Sequence, residues 1–260
     1  MNSELRGRFF LSAGDCNAQG RLSLPVLTSN IIEIATAHAN SLGIGNPSME
    51  SLGYGWVLSR LAIEMERYPE VNQEYFVTTW IESFNRHFSV RNFRIDDYEG
   101  NAAGYATSVW MVLNWKSREN AGTSHLSLEE SLISGKTVPI EKFGKHRPIV
   151  ISGEEIHNNA LIATSEPIER TFRYTDLDFY RHVNTIRYVS MLLDCFSLRQ
   201  MDETEVRRLE LAFLREGHYG ERIRILKAED GLHTSFAVGD VEDGTGLLSA
   251  SLWRRATAFS

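Results

Sequence analysis

The chain has 260 residues, of which 42% are hydrophobic and 23% charged, and a formal net charge of −7. That length suits two domains of roughly 100–150 residues, the apolar content suits a chain that buries its own core, and no run approaches the ~18 apolar residues of a membrane-spanning helix. The negative balance excludes broad nucleic-acid binding, which draws on a basic surface to release counterions.

The opening MNSELRGRFF has no apolar signal core followed by small residues and no long Arg/Ser-rich leader, so a cytoplasmic protein is expected. Leu27, Ile31, Ile34 and His38 then recur at helical spacing, with Pro25 suited to a first turn and Gly43 to a stop, which predicts a helix over about Leu24 to Leu42. Four runs rich in β-branched and aromatic residues follow and read as strands: about Val57 to Arg67, Glu74 to Ser83, Phe88 to Asp96 and Gly104 to Trp115. Residues 118–166 carry scattered Gly, Pro and Ser and one short apolar-periodic stretch, Leu126 to Ile133; they read as a connector with a small helix. Beyond it, Val183, Ile186, Val189, Leu193 and Phe196 predict a second helix of about His182 to Arg199, with Asp176 and Asp178 placed for its N-terminal cap. Strands are expected again over about Val206 to Arg215, Arg222 to Ala228, Thr234 to Val241 and Leu247 to Ala256. The turn-forming DYEGNAAG and VEDGTG make the last two strands of each set antiparallel. Cys16 and Cys195 lie far apart with no CxxC or Cys/His spacing, so reduced thiols are expected, and no metal site. Trp56, Trp80, Trp110, Trp115 and Trp253 fit a core.

The two sets resemble each other. RLAIEMERYPEVNQEYFVTTWIE, from Arg60, lies without gaps on RLELAFLREGHYGERIRILKAE, from Arg208, placing Arg67 on Arg215 and Tyr68 on Glu216. ATSVWM on SASLWR places Trp110 on Trp253, and GDCNAQGRL places Asp15 near the position of Asp178 and Gln19 near that of His182. The expected fold is α+β, a duplicated unit in which a long helix lies against a curved antiparallel sheet, with domains 1–117 and 167–260 joined by the connector 118–166.

The stretch TFRYTDLDFYRHVNTIRYVSMLLD concentrates the chemistry. Asp178 and, four residues on, His182 stand at a helix start, where unpaired backbone N–H groups near Val183 are suited to stabilise an oxyanion. TDLDFYRHVNTIRY resembles the active-site segment of plant and bacterial acyl-acyl-carrier-protein thioesterases, Asp-Leu-Asp-x-Asn-x-His-Val-Asn-Asn-x-x-Tyr. The likeness extends through WVLSRLAIEMERYP, VTTW, ATSVWMVLNWKSRE and LELAFLREG, nearly the whole chain in order.

The resemblance implies a tandem, or double, hotdog fold and hydrolysis of fatty acyl-acyl carrier protein without a cofactor. It implies Asp178 as general base or nucleophile, with His182 and Glu216 positioning water and substrate, and Asn184 as a hydrogen-bonding residue of the helix start. Two departures from the family bear on the chemistry. Gly217 stands where plant members often carry Cys, which removes a Cys/His mechanism there, and Tyr180 replaces the Asn between Asp and His, which makes it a tentative catalytic residue. The first copy, without this constellation, is expected to shape the acyl pocket through Ile31, Ile34, Ala35 and His38, the last also a candidate hydrogen-bonded core group. The expected partner is the acidic acyl carrier protein, which against a chain of −7 calls for a local basic face; the arginines from Arg170 to Arg224 supply one, interleaved with nearly as many carboxylates. Acyl-coenzyme A as the carrier, and a non-catalytic acyl-binding protein, remain alternatives.

Overall fold

A computed structural model describes residues 3–123, 126, 130–141, 143–144, 147–150 and 160–257. The chain divides into two compact units, Met1–Glu141 and Lys142–Ser260.

In the first unit, β1 (Glu4–Phe10) leads through a 3-10 turn (Ala13–Asp15) into α1 (Leu24–Ser41) and the short α2 (Asn46–Ser51). Strands β2 (Tyr54–Met65), β3 (Glu74–Phe84), β4 (Ser89–Asp96) and β5 (Ala102–Asn114) follow. The sheet order is β1-β3-β4-β5-β2, all antiparallel. Alternation along these strands turns Val77, Ile81, Phe93, Ile95, Leu61, Ile63 and Met65 to one buried face, and α1 packs on β1 and β3 with Leu27, Ile31 and Ile34 inward. Each such side chain contributes about 1.5–3 kcal/mol by leaving water, which holds the 18-residue α1 in place where its own propensity would not.

The second unit repeats the plan. The parallel pair β6 (Ile149–Val150) and β7 (Leu161–Ile162) precedes β8 (Ile168–Thr171), a 3-10 turn (Tyr174–Asp176), α3 (Thr185–Leu193) and α4 (Leu198–Glu203). Then come β9 (Thr204–Phe213), β10 (Arg222–Asp230), β11 (His233–Asp240) and β12 (Gly246–Ala256). Its sheet order, β8-β10-β11-β12-β9, matches that of the first unit strand for strand. Tyr188 of α3 meets Phe172 and Phe213 edge-on, and Phe196 meets Phe236 the same way.

Both hairpins expected from turn chemistry are present, and the eight strands expected from composition lie within a few residues of their places. Strands β1 and β8 were not expected; each is an edge strand without a buried residue, and β8 is only four residues long. The expected helix 182–199 is two helices. Asn184 caps α3 through its side chain, the helix stops at Leu193, and Ser197 with Gln200 forms a capping box that starts α4.

The two units share irregularities as well as order. Ser59 is extra opposite the Arg60–Val109 and Leu58–Trp110 pairs, and Arg207 is extra opposite Arg208–Trp253 and Val206–Arg254. This register sets Arg60 on Arg208 as the sequence suggested, but sets Val109, not Trp110, on Trp253. The tryptophans were aligned by identity, whereas strand pairing places them one residue apart. The indole N–H of Trp56 donates to Ile44 O, that of Trp80 to Lys136 O and that of Trp110 to Ser108 Oγ.

The connector is divided between the units. Ser134 N and Gly135 N donate to Ile81 O and Glu82 O of the first, while Gly144 N donates to Glu210 Oε2 and Thr164 N to Lys227 O of the second. Of the small helix expected within 126–133, residues 127–129 lie outside the described residues and Glu130–Leu132 form a 3-10 turn.

Candidate active site

The site of the second unit is built on a turn and a helix start. After the 3-10 turn, Asp178 N donates to His182 O (2.8 Å) and Arg181 N to Asp178 O (3.0 Å). The Asp178 side chain closes the same turn, its Oδ1 accepting from Tyr180 N (2.9 Å) and His182 N (3.0 Å). Arg181 occupies the left-handed region, with φ 65°. Asn184 Oδ1 accepts from Ile186 N (3.1 Å) and begins α3. Neither aspartate caps this helix, contrary to expectation: Asp178 holds the preceding turn, and Asp176 Oδ2 accepts from Arg173 N (2.7 Å) in the 3-10 turn.

Glu216 enters from the segment after β9. Val183 N donates to Gly217 O (2.9 Å), and His182 bridges His218 antiparallel, which brings His182 Nε2 to 3.4 Å from Glu216 Oε2. These two side chains are 21% and 26% exposed, open enough for water to reach them. His182 and Glu216 are thus joined through side chains, and Asp178 through the His182 backbone. Tyr180 has its ring 3.8 Å from that of Phe179, centroid to centroid.

The oxyanion expectation needs correction. Val183 N–H is spent on Gly217 O, and those of His182, Asn184 and Ile186 are also bonded. The amide left open at the start of α3, among the described residues, is that of Thr185.

Two residues were missed by sequence reading. His218 lies with its ring centroid 5.4 Å from that of His182; its spacing of two from Glu216 in an extended run was the available signal. Tyr188 carries a buried hydroxyl with no hydrogen-bond partner among the described residues, and burial raises its pKa. A Cβ at Gly217 would sit 2.6 Å from that Tyr188 hydroxyl, 2.8 Å from Phe172 and 3.0 Å from Val183. The glycine that replaces the family cysteine is therefore required by packing around Tyr188.

The first unit contains the same turn with different side chains. Asn17 N donates to Arg21 O (2.7 Å), and Asn17 Oδ1 accepts from Gln19 N (3.1 Å) and Arg21 N (2.9 Å). Gly20 has φ 74°, and Leu22 N donates to Pro69 O (2.9 Å). These bonds set Asn17 on Asp178, Gln19 on Tyr180, Gly20 on Arg181, Arg21 on His182 and Tyr68 on Glu216. The expectation of Asp15 at the place of Asp178 and Gln19 at that of His182 is overturned: Asp15 O accepts from Ser23 N as Asp176 O does from Asn184 N. The two aspartates were aligned by identity, and the turn assigns them differently.

On α1, Ile31, Ile34, Ala35 and His38 are buried, and Ile34 lies against Gly7 of β1. His38 Nδ1 is 2.8 Å from Arg91 Nη1; the guanidinium can only donate, so Nδ1 accepts. Arg91 is buried and also reaches Thr79 Oγ1 (3.3 Å), and burial lowers its pKa to about 10. Among the described residues no cluster of His, Cys, Asp and Glu has metal-holding geometry, and no helix is long and apolar enough to cross a membrane.

Comparison with known proteins agrees along the chain. Residues 3–123 match the acyl-ACP thioesterase N-terminal domain and residues 160–254 the C-terminal domain of the same family. A chloroplastic acyl-[acyl-carrier-protein] hydrolase of Cuphea viscosissima is 27% identical over 220 residues, 81% of this chain and 51% of that protein. A chloroplastic oleoyl-acyl carrier protein thioesterase of Arabidopsis thaliana is 24% identical over 225 residues, 80% of this chain and 59% of that protein. The chain spans about half the length of the curated relatives it matches. Among solved structures, an acyl-ACP thioesterase from Bacteroides thetaiotaomicron superposes with a TM-score of 0.86 at 28% identity, covering 97% of this chain and 98% of that one. The 12:0-ACP thioesterase of Umbellularia californica shares the fold, with a TM-score of 0.82 at 19% identity and 99% of both chains covered. With both family domains matched in order around the turn and helix start described above, the chain belongs to the acyl-ACP thioesterase family.

Proposed function

We propose that this protein hydrolyses the thioester of fatty acyl-acyl carrier protein and releases the free fatty acid. The observation that carries the reading is the His182–Glu216 pair, 3.4 Å apart, set beside the Asp178 turn at the start of α3 in a member of this family. Asp178 acts as base or nucleophile: Oδ1 is held by two backbone N–H groups, which fixes the carboxylate and leaves Oδ2 for the chemistry. Taken as base, it removes a proton from water as the oxygen attacks the thioester carbon. The C–S bond then breaks, and the departing sulfur takes that proton from Asp178 as the thiol, which restores the carboxylate. His182 and Glu216 position the water and the acyl group, and Thr185 N–H, at the positive end of α3, receives the developing oxyanion. A thioester is already activated and water is the acceptor, so this route uses no cofactor.

The matching strand orders support two hotdog domains, 1–117 and 167–260, as the finer description of the fold. The first, with Asn17, Arg21 and Tyr68 at the three positions, has no carboxylate for the chemistry; we assign the acyl chain to the apolar face of its α1, Ile31, Ile34 and Ala35, with His38 at one end. The test is thiol release from one acyl chain on acyl carrier protein and on coenzyme A. Faster turnover on the carrier protein supports the proposal, preference for coenzyme A replaces the carrier, and acyl binding without thiol release makes this a non-catalytic acyl-binding protein.

A further inference from the structure

Two identical turns, one with the catalytic cluster and one without, provide an internal control. Around the turn of the second unit stand three strongly exposed aromatics, Tyr174 (84%), Phe179 (78%) and Tyr219 (65%), and three exposed arginines, Arg173, Arg181 and Arg187. The backbone bonds that equate the turns place Ala13, Ala18 and Val71 at the aromatic positions, and Ser12, Gly20 and Val26 at those of the arginines. The fold of the turn therefore demands none of these aromatic or cationic side chains.

Two of the arginines are held against local preference. Arg181 takes a left-handed conformation that glycine fills in the first unit, and Arg187 puts a cation in the first turn of α3, where the helix end is already positive. Other arginines of the same stretch are neutralised: Arg208 by Glu210, Arg215 by Glu221, Arg199 by Glu203, and Arg222 and Arg224 by Glu169. Arg173, Arg181 and Arg187 make no ion pair with a described residue, in a chain of net charge −7. Asp176 Oδ2 accepts from the backbone N–H of Arg173 and makes no ion pair with its guanidinium. Locally unfavourable residues kept at one site point to a function there.

We propose that these six side chains form the docking face for an acidic carrier protein that presents its acyl thioester to Asp178, His182 and Glu216. The proposal rests on the thioesterase reading above. Exposed aromatics beside uncompensated arginines have the composition of a protein-protein hot spot, and arginine meets surface carboxylates in paired hydrogen bonds. A local positive face also overcomes the repulsion between two acidic proteins, mostly through the rate of encounter.

The test compares acyl carrier protein, acyl-coenzyme A and acyl-pantetheine, which carries no anionic group, for Arg187→Glu, Phe179→Ser and Arg181→Gly. With acyl carrier protein, KM rises about tenfold for each of the first two variants while kcat at saturation is level, and for Arg187→Glu the salt dependence of kcat/KM flattens. With acyl-pantetheine the variants stay within about twofold of the unmodified protein. Arg181→Gly separates docking from folding: its thermal midpoint holds or rises because the strained position is relieved, while KM for the carrier protein still rises. An unchanged KM for the carrier protein overturns the proposal, as does an equal loss on acyl-pantetheine. A loss on acyl-coenzyme A as large as that on the carrier protein assigns the arginines to phosphate and also overturns it. Calorimetric binding of acyl carrier protein reads docking without turnover, so an inactive protein that still binds the carrier through this face sinks the thioesterase reading alone.

Discussion

Asp178→Asn separates the chemical role of this carboxylate from its structural one. In the fold, Oδ1 accepts from Tyr180 N at 2.9 Å and His182 N at 3.0 Å, and an asparagine keeps an oxygen there. The first unit shows that it suffices, since Asn17 Oδ1 accepts from Gln19 N at 3.1 Å and Arg21 N at 2.9 Å in the same turn. What is lost is the charge on the acceptor, the difference between charged and neutral hydrogen bonds, about 1–2 kcal/mol for the pair with their partial exposure. That corresponds to a fall of only about 2–8 °C in thermal midpoint for a chain of this size. Turnover behaves differently, because an amide neither takes a proton from water nor attacks a thioester well. Loss of a general base costs about 10²–10⁴ in rate, or about 3–5 kcal/mol of barrier. The assay is thiol release from acyl carrier protein at saturating substrate, paired with thermal melting and intact mass to exclude reversion to Asp. Turnover within about threefold of the unmodified protein would remove Asp178 from the chemistry. An unfolded variant would show instead that the turn depends on the charge.

Three further expectations follow the same logic. Tyr180→Asn, which restores the family residue, raises turnover or shifts acyl preference, while Tyr180→Phe isolates the hydroxyl; equal hydrolysis by all three proteins takes position 180 out of catalysis. Ala35→Met fills space on the buried face of α1 and shortens the preferred acyl chain by about two carbons, worth roughly tenfold in kcat/KM at ~0.8 kcal/mol per CH2, and an unchanged chain-length profile places the pocket elsewhere. Burial at the stack on Trp253 holds the His233 imidazole below its ordinary value of 6.5, so the unfolded chain takes up this proton first as pH falls. Stability is unaffected by this group above that value and declines as pH drops through it toward the folded value; His233→Gln flattens this limb in urea midpoints taken between about pH 7.5 and 5, and an unaltered slope refutes the assignment.

Local chemistry written in the residues determined the elements and the family: helical spacing on α1, period-two strands, hairpin turns, and the Asp-x-x-x-His run before a helix. It announced the edge strands β1 and β8 poorly, since their pairing with β3 and β10 is a long-range matter of backbone bonds. The helix break between α3 and α4 was legible in principle, because Ser197 and Gln200 spell a capping box, but the apolar spacing through Phe196 outweighed it. His182, Glu216 and Asp178 were named from the sequence, yet only the bridge between His182 and His218 brings Glu216 beside the imidazole. Which amide is open for an oxyanion was also a tertiary decision, because Val183 N–H finds Gly217 O more than thirty residues away. Two equivalences between the units failed where like residues were matched by identity, Asp15 with Asp178 and Trp110 with Trp253, whereas Arg60 with Arg208 held. Side-chain identity is free to drift after a duplication, whereas the hydrogen bonds of a turn and the register of a strand pair must be satisfied in every copy, so the tertiary structure alone set Asn17 on Asp178 and Val109 on Trp253.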